Sequence, residues 1–489
     1  MAKIQNNVQN KRKIKKFFRY LPVCLLFVSI VTLIFLHFLN VLPFNYFLLL
    51  TFIFLLFDGF MFYLILGHGW KKRLLGTILS FVKMIAMFVI LLFSFNTFDF
   101  LDKIKSDNYN TENYSVIVLK GSSFDKIKTL NHQTIGILKA DEDQGLVLAK
   151  EHLEKKVTGD YIEKEDLDGL VEALISKKVE AILIEDSEKS ILEEEHEEFL
   201  NLEKVVYQFS LDIPIQDDLV KQVDITSHPF NVFISGIDSY GKISSVSRSD
   251  VNMVLTINPT THKVLVTSIP RDYYVKLHGI ATEYKDKLTH AGIHGIDTSV
   301  KTVEDLLEID INYYVKINFT SLVTLVDKLG GIDVTLDKPF RAFYNEDGTI
   351  VNYSFKKGIN HLNGKQALAF ARERKSLARG DVARLEHQQL IIEGLFDKIL
   401  SKNIITKYSD LLNALEGKFV TNMGTQNITT LVKYQIKNNP SWSIEKNTLV
   451  GIDSSQYTYS YKRKKSYVME PDVKSLDYAK NLIRSLAQS

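Results

Sequence analysis

The chain has 489 residues, a formal net charge of +2 and one cysteine. That length favours more than one domain. A lone cysteine excludes a disulfide framework, so whatever lies outside a membrane is held by its core alone. No segment is low-complexity and none repeats internally.

Three apolar runs come first, roughly Leu21–Asn40, Leu42–Leu66 and Leu74–Phe95. Each is close to the ~20 residues a helix needs to cross a bilayer's hydrocarbon core. Asp58 is the only acidic residue before position 97, and Lys83 is the only Lys or Arg within a run. The first run is too long, and too closely followed by the second, for a cleaved signal peptide. Lys11, Arg12, Lys13, Lys15, Lys16 and Arg19 precede the first run, and Lys71, Lys72 and Arg73 lie between the second and third. By the positive-inside rule the N-terminus and the second loop face the cytoplasm, and residues after about 97 are external. The expected division is a basic tail (1–20), three transmembrane helices (21–96) and two external domains (97–227 and 228–489).

The two external segments differ in charge. Residues 97–227 carry 15 Lys and no Arg against 30 Asp and Glu, whereas residues 228–489 carry 34 basic against 27 acidic side chains. The acidic segment reads as a small α/β unit, with strands at Ser115–Leu119, Thr134–Leu138 and Ala181–Ile184 and helices at Gln144–Lys156 and Leu167–Lys178. The run Glu193–Glu198 reads as a solvated helix face, not a metal site. No catalytic constellation stands out here, so a spacer or docking role is expected.

The basic segment alternates more regularly. Strands are expected at Asn231–Ile237, Met253–Ile257, Val264–Ile269 and Ile332–Leu336. Helices are expected at Ser299–Leu307, Ser321–Lys328, Lys365–Arg372 and Asp381–Leu400. The pattern predicts an α/β domain with a central sheet covered by helices on both faces.

Arginine usage marks the candidate site. No arginine occurs from Leu74 to Ser247, and then seven of twelve follow: Arg248, Arg271, Arg341, Arg372, Arg374, Arg379 and Arg384. Guanidinium groups bind carboxylate or phosphate oxygens in bidentate fashion, so their concentration points to an anionic ligand, with structural ion pairing accounting for two or three. Asp238 and Asp250 flank the first strand end, and Arg271-Asp272 follows the third. Ligands of α/β folds gather at such strand ends. The two aspartates are candidate oxygen ligands for magnesium, or else loop caps. Asp381, Arg384 and Gln388 recur at i, i+3 and i+7 on one helix face. Glu373, Asp381 and Glu386 are the carboxylates available to balance the arginines internally. His262, His278, His290, His294, His361 and His387 show no metal spacing and read as packing or surface residues. No P-loop, hydride-transfer or serine-hydrolase pattern is present.

Seven segments in order, NVFISGID, SRSDVNMVL, VTSIPRD, DKLTHAG, LVDKLGGIDV, GKQALAFARERK and RGDVARLEHQQ, resemble the LytR-CpsA-Psr family across residues 231–400. The three spans and the acidic domain resemble its capsule-type members. The resemblance implies an external α-β-α catalytic domain in the plasma membrane of a Gram-positive bacterium. Such a domain moves a glycopolymer from a polyprenyl-pyrophosphate carrier onto peptidoglycan by phosphoryl transfer. It implies Asp238 and Asp250 for Mg2+ (Mn2+ being the alternative), and Arg248, Arg271, Arg372, Arg374 and Arg384 for the pyrophosphate. Asp381, Gln388, Arg379 and Asp272 are assigned to support, and capsule-synthesis membrane proteins are candidate partners. An apolar tunnel for the lipid is also implied. Two other readings stay open from sequence: a lipid-pyrophosphate hydrolase, and a non-catalytic surface regulator. Nucleic-acid binding is not expected, because no basic-aromatic surface is concentrated in an outward-facing domain.

Overall fold

The computed structural model describes residues 2–40, 42–103, 109–139, 143–195, 197–215, 219–237, 245–280, 283–346, 349–400 and 419–489. Two compact units are present. The first contains helices α1 (Ala2–Leu39), α2 (Phe44–Leu66) and α3 (Trp70–Lys103), together with the amphipathic helix Thr425–Asn438. All three long helices are long and apolar enough to cross a membrane. Leu21, Leu25, Met61, Leu64 and Ile65 form their shared apolar seam. The two charged residues within the apolar runs are paired: Lys83 of α3 is ion-paired with Asp58 of α2 and donates to Ser29 Oγ of α1 at 2.9 Å. One buried cation thereby ties three helices together.

Among the described residues the second unit holds two large sheets and four two-stranded ones. The strands of the first are β1 (Tyr109–Leu119), β2 (Thr134–Leu138), β3 (Asp160–Lys164), β4 (Ala181–Glu185) and β5 (Glu203–Pro214), in the order β3-β2-β4-β1-β5. Alternation along β1 sends Tyr114, Val116 and Val118 to one face and Ile117 to the other. Helix α4 (Gln144–Glu154) covers the first face through Leu146, Ala149 and Leu153, while α5 (Leu167–Ile175) and α6 (Asp186–Glu195) cover the second. Asp143 and Asp166 cap α4 and α5 by accepting from the backbone N–H of Leu146 and Gly169, a contact typically worth about 1 kcal/mol. A short α7 (Glu197–Leu202) leads into β5. Within the acidic run Glu193–Glu198, His196 and the side chains of 193–197 lie outside the described residues.

The second sheet is built from β6 (Phe230–Ile237), β7 (Ser249–Asn258) and β8 (Lys263–Ile269). After the short pair β9 (Tyr274–Val275) and β10 (Asp286–Lys287) come β11 (Tyr313–Asn318), β12 (Ile332–Leu336), the hairpin β13 (Phe340–Glu346) and β14 (Thr349–Phe355), and β15 (Gly358–Leu362). The C-terminal strands are β16 (Phe419–Thr421), β17 (Ser443–Thr448), β18 (Gly451–Gln456) and β19 (Ser466–Pro471). Six of these form one mixed sheet in the order β16-β11-β6-β7-β8-β17.

Helix α8 (Ile296–Leu307) and the C-terminal helix Val473–Gln488 bury Val300, Val303, Leu307, Ala479 and Ile483 against Phe233, Val254 and Leu265 on one face of this sheet. The opposite face carries α11 (Gly380–Ile399), whose Gln389 donates to Ser268 Oγ at 2.9 Å. Helices α9 (Phe319–Lys328) and α10 (Gly364–Arg372) complete the fold. The architecture is the expected α/β sandwich, with helices on both faces of the sheet. The C-terminal ninety residues, silent in sequence, supply both edge strands and one covering helix.

Candidate active site

Register fixes which side chains meet. Strand β7 runs antiparallel to β6 and β8, and β11 is parallel to β6. The C-terminal ends of β6, β8 and β11 and the N-terminal end of β7 therefore share one edge of the sheet. That edge carries Arg248-Ser249-Asp250, Arg271-Asp272 and Asn318-Phe319. Ser235 Oγ and Ser249 Oγ are 2.8 Å apart, and Asn252 donates to the Ser249 carbonyl at 2.8 Å, pinning the ends of β6 and β7. The segment Leu288–Gly292 lies against the Arg248 loop so closely that a Cβ on Gly292 would stand 2.4 Å from the Ser247 carbonyl oxygen.

At the centre, Arg271 Nη1 donates to Asp250 Oδ1 at 2.9 Å, and Arg271 Nε lies 3.6 Å from Asp272 Oδ2. Arg384 Nη2 stands 2.5 Å from Asp381 Oδ1 on α11. Asp250, Asp272, Arg384 and Gln388 are all buried. Burial pushes the Asp250 carboxyl up, but the guanidinium groups of Arg271 and Arg248 outweigh it and hold the group below its ordinary value. Asp381 ends above its ordinary value, because burial and the nearby Asp272 charge outweigh Arg384. Arg384 holds its proton less firmly than a free guanidinium, through burial and the repulsion of Arg271. Arg271 goes the other way, its two aspartates outweighing burial.

The cluster is charged yet incompletely bonded. Arg271 Nε, Arg384 Nε and Nη2, both Asp381 carboxylate oxygens and Gln388 Oε1 are buried without a well-aligned hydrogen bond among the described residues. Each such group costs ~1–3 kcal/mol, more when charged. Stray buried donors of this kind cluster where a ligand completes the bonding.

Of the residues singled out in the sequence, Asp250, Arg271, Asp272, Asp381, Arg384 and Gln388 come together. Arg248 and Arg374 belong to the same field, acting on Asp250 and Asp381 respectively. Gln388 donates to the Ala371 carbonyl at 3.2 Å and so couples α11 to the end of α10. Arg372 lies over the Phe319 ring at 4.4 Å. Arg379 is turned away, paired with Glu386 at 2.5 Å on an exposed surface. Glu373 does not balance the arginines: its carboxylate accepts from the backbone N–H of Phe343 and Ser376. Asp238 lies outside the described residues.

Five residues at or near this end of the sheet had no ligand role assigned in the sequence. Thr289, within DKLTHAG, donates to Asp250 Oδ1 at 3.2 Å, while its backbone N–H reaches the Arg271 carbonyl at 2.8 Å. Buried His290 and Asp286 and half-buried Ser460 form a chain, with His290 Nδ1 and Ser460 Oγ on opposite Asp286 oxygens at 2.8 and 2.6 Å. Lys316 of β11 is buried, donates to the Ser245 carbonyl at 2.8 Å, and is pushed down to about 8 by burial. A lysine in the middle of the strand YYVKIN was the available signal.

An α/β sandwich with a buried arginine–carboxylate centre at one sheet edge defines the class, and residues 195–475 match the LytR_cpsA_psr family. That match takes in more than half of the chain, and the protein belongs to this family. Among its relatives, the polyisoprenyl-teichoic acid–peptidoglycan teichoic acid transferase TagU of Bacillus cereus (strain AH820) is 39% identical over 198 residues, 40% of this chain and 61% of that protein. The same-named protein of Bacillus subtilis (strain 168) is 38% identical over 210 residues, 42% of this chain and 65% of that one. The matches thus span less than two thirds of these relatives' own length. The crystal structure of B. subtilis TagV is 30% identical with a TM-score of 0.45, covering 54% of this chain and 99% of that one.

Proposed function

We propose that the protein transfers a wall glycopolymer from a polyprenyl-pyrophosphate carrier onto peptidoglycan. The observation that carries this reading is the set of buried guanidinium N–H groups on Arg271 and Arg384 that make no well-aligned hydrogen bond among the described residues, although carboxylates stand beside them. Phosphate oxygens are the acceptors such forks match best. A peptidoglycan hydroxyl oxygen attacks the phosphorus that bears the glycan, the bridging P–O bond breaks, and polyprenyl phosphate leaves with the bond's electrons. The hydroxyl proton passes to a base, for which Asp272 or Asp381 is placed among the arginines. Burial holds Asp381 above its ordinary value, which makes it a stronger proton acceptor than an exposed aspartate. Phosphoryl transfer depends mainly on positioning and charge neutralisation, which Arg248, Arg271, Arg374 and Arg384 provide together.

Magnesium fits this donor set. No group of three or more His, Cys, Asp or Glu stands at ligating spacing among the described residues, but magnesium takes only one or two carboxylates plus phosphates and waters. Asp250 and Asp238 would hold it, and it would neutralise phosphate oxygens. Manganese is the alternative ion.

The basic flanks favour a cytoplasmic N-terminus and an external catalytic domain in a Gram-positive plasma membrane. The relatives' names favour teichoic acid as the polymer, and the accessory domain with three spans favours capsular polysaccharide, together with membrane partners from capsule synthesis. Incubating the full chain in liposomes with each lipid-linked donor and magnesium, with and without peptidoglycan, tests the proposal. Polymer should appear on peptidoglycan as polyprenyl phosphate is released. Release without acceptor would favour the hydrolase, and no turnover under any condition would favour a non-catalytic role.

A further inference from the structure

The β13–β14 hairpin presents apolar side chains that stay exposed among the described residues. Its register pairs Ala342 with Tyr353 and Phe340 with Phe355 on one side, and Arg341 with Ser354 and Phe343 with Asn352 on the other. The first side packs inward: Ala342 and Phe355 are buried, and Phe340 and Phe355 stand against Phe370. On the second side Phe343 is 61% exposed and Ile350 is 73% exposed. Large side chains so placed on an ordered strand mark a contact surface when a consistent partner is available.

The charge around the hairpin specifies that partner. Residues 338–379 contain nine Lys and Arg against three Asp and Glu, the reverse of the acidic segment 97–227. Lys338, Arg341, Lys356 and Lys357 flank the apolar pair, and all four are exposed. Apolar side chains ringed by lysine and arginine fit the surface of an anionic bilayer, in which the rings enter the interface and the cations meet headgroup phosphates.

We infer that this hairpin docks on an anionic lipid surface and holds the arginine segment beside it. The mechanical link is short. Glu373 accepts from the Phe343 N–H at 3.1 Å, and Ser376 Oγ donates to the Arg341 carbonyl at 2.6 Å. Arg372 and Arg374 lie on the same segment. Its value to the protein rests on the transferase reading, since a polyprenyl-linked donor presents its pyrophosphate at the headgroup level.

The test uses the full chain in nanodiscs, with Cys24→Ser removing the only cysteine. An environment-sensitive dye is attached through Phe343→Cys or Ile350→Cys, with Lys263→Cys as control. In discs containing phosphatidylglycerol and brominated chains, the dye at 343 and 350 should shift to the blue and be quenched, and the dye at 263 should not. Lys356→Glu with Lys357→Glu should weaken this docking roughly fivefold per lysine. Solvent-like emission at all three positions would overturn the inference, as would shielding of 343 by peptidoglycan but not by lipid. These signals need no turnover, so they stand or fall apart from the catalytic reading. The double variant Phe343→Asp, Ile350→Asp should slow turnover of a bilayer-embedded donor and leave that of a short-chain soluble donor unchanged. Equal loss on both donors would instead make the hairpin a structural element and sink the docking role.

Discussion

Thr289 donates its hydroxyl to the same Asp250 oxygen that receives the Arg271 guanidinium, at 3.2 and 2.9 Å. The carboxylate is thus oriented from two directions, and Thr289 positions a group it does not resemble chemically. Thr289→Val keeps the shape and deletes the donor. It should cost ~0.5–1.5 kcal/mol in thermal stability and lower kcat/KM for lipid-pyrophosphate turnover, and Thr289→Ser should restore both.

Arginine replacements should separate the site into members and bystanders. Arg271→Ala and Arg374→Ala each remove a charge-assisted contact worth ~1.5–3 kcal/mol, or about one to two decades in kcat/KM if it operates in the transition state. Lysine at either position should fail to rescue, because the ammonium lacks the fork. Arg379→Ala should behave like the surface control Lys263→Ala, since its partner is the exposed Glu386. Full activity of folded Arg271→Ala would assign that residue to ion pairing alone.

Metal removal provides a separate check. Excess chelator should abolish turnover, and magnesium should restore it. Asp238→Ala and Asp250→Ala should both raise the magnesium concentration needed for half-activity, and Asp250→Ala should also lower the melting temperature, because it leaves the buried Arg271 unpaired. Wild-type turnover in chelator would rule out the metal assignment.

A pH dependence follows from the acidic domain. Burial, with the charges of Asp143 and Asp297, pushes Glu112 up to about 7 against the Tyr114 hydrogen bond. Burial and Asp143 push Glu188 up to about 8. Carboxyls raised in the folded state bind more protons than in the unfolded state between ~4.5 and 8, so stability is present on the acid side and lost as pH rises through that window. Protection factors of β1 and β4 amides, corrected for the intrinsic base-catalysed rate, should be larger at pH 5.5 than at pH 8, and Glu112→Gln with Glu188→Gln should flatten that difference. A slope of opposite sign would refute the assignment.

Orientation can be read directly. A reporter fused after residue 100 should be active only outside the cell, and one fused at residue 70 only inside. The reverse pattern would remove the basis for an external catalytic site.

Strands with continuous β-branched apolar runs, such as β6 and β8, were legible, and both are buried along nearly their whole length. The edge strand β17, Ser-Ile-Glu-Lys-Asn-Thr, was not, since an edge tolerates polar residues and shows little periodicity. Arg271 and Arg384 were legible as ligand groups from residue choice and helix spacing. What sequence could not supply was partnership across the fold. Arg379, assigned to support, is claimed by Glu386, and Glu373, available as a counter-charge, has its oxygens on backbone N–H groups. Thr289 gave no signal, because a hydroxyl in a loop is common and its target lies 39 residues earlier.

The ion pair between Asp58 and Lys83 has a consequence for biogenesis. A lone charge at the centre of a membrane helix costs about 2.5–3.5 kcal/mol on insertion scales, so neither α2 nor α3 enters lipid comfortably by itself. Together, with Ser29 of α1 completing the contact, the two helices conceal their charges from lipid. They are therefore suited to leave the insertion machinery as a pair. The spacing of two residues in the second and third segments thus couples the order of membrane entry to the final bundle.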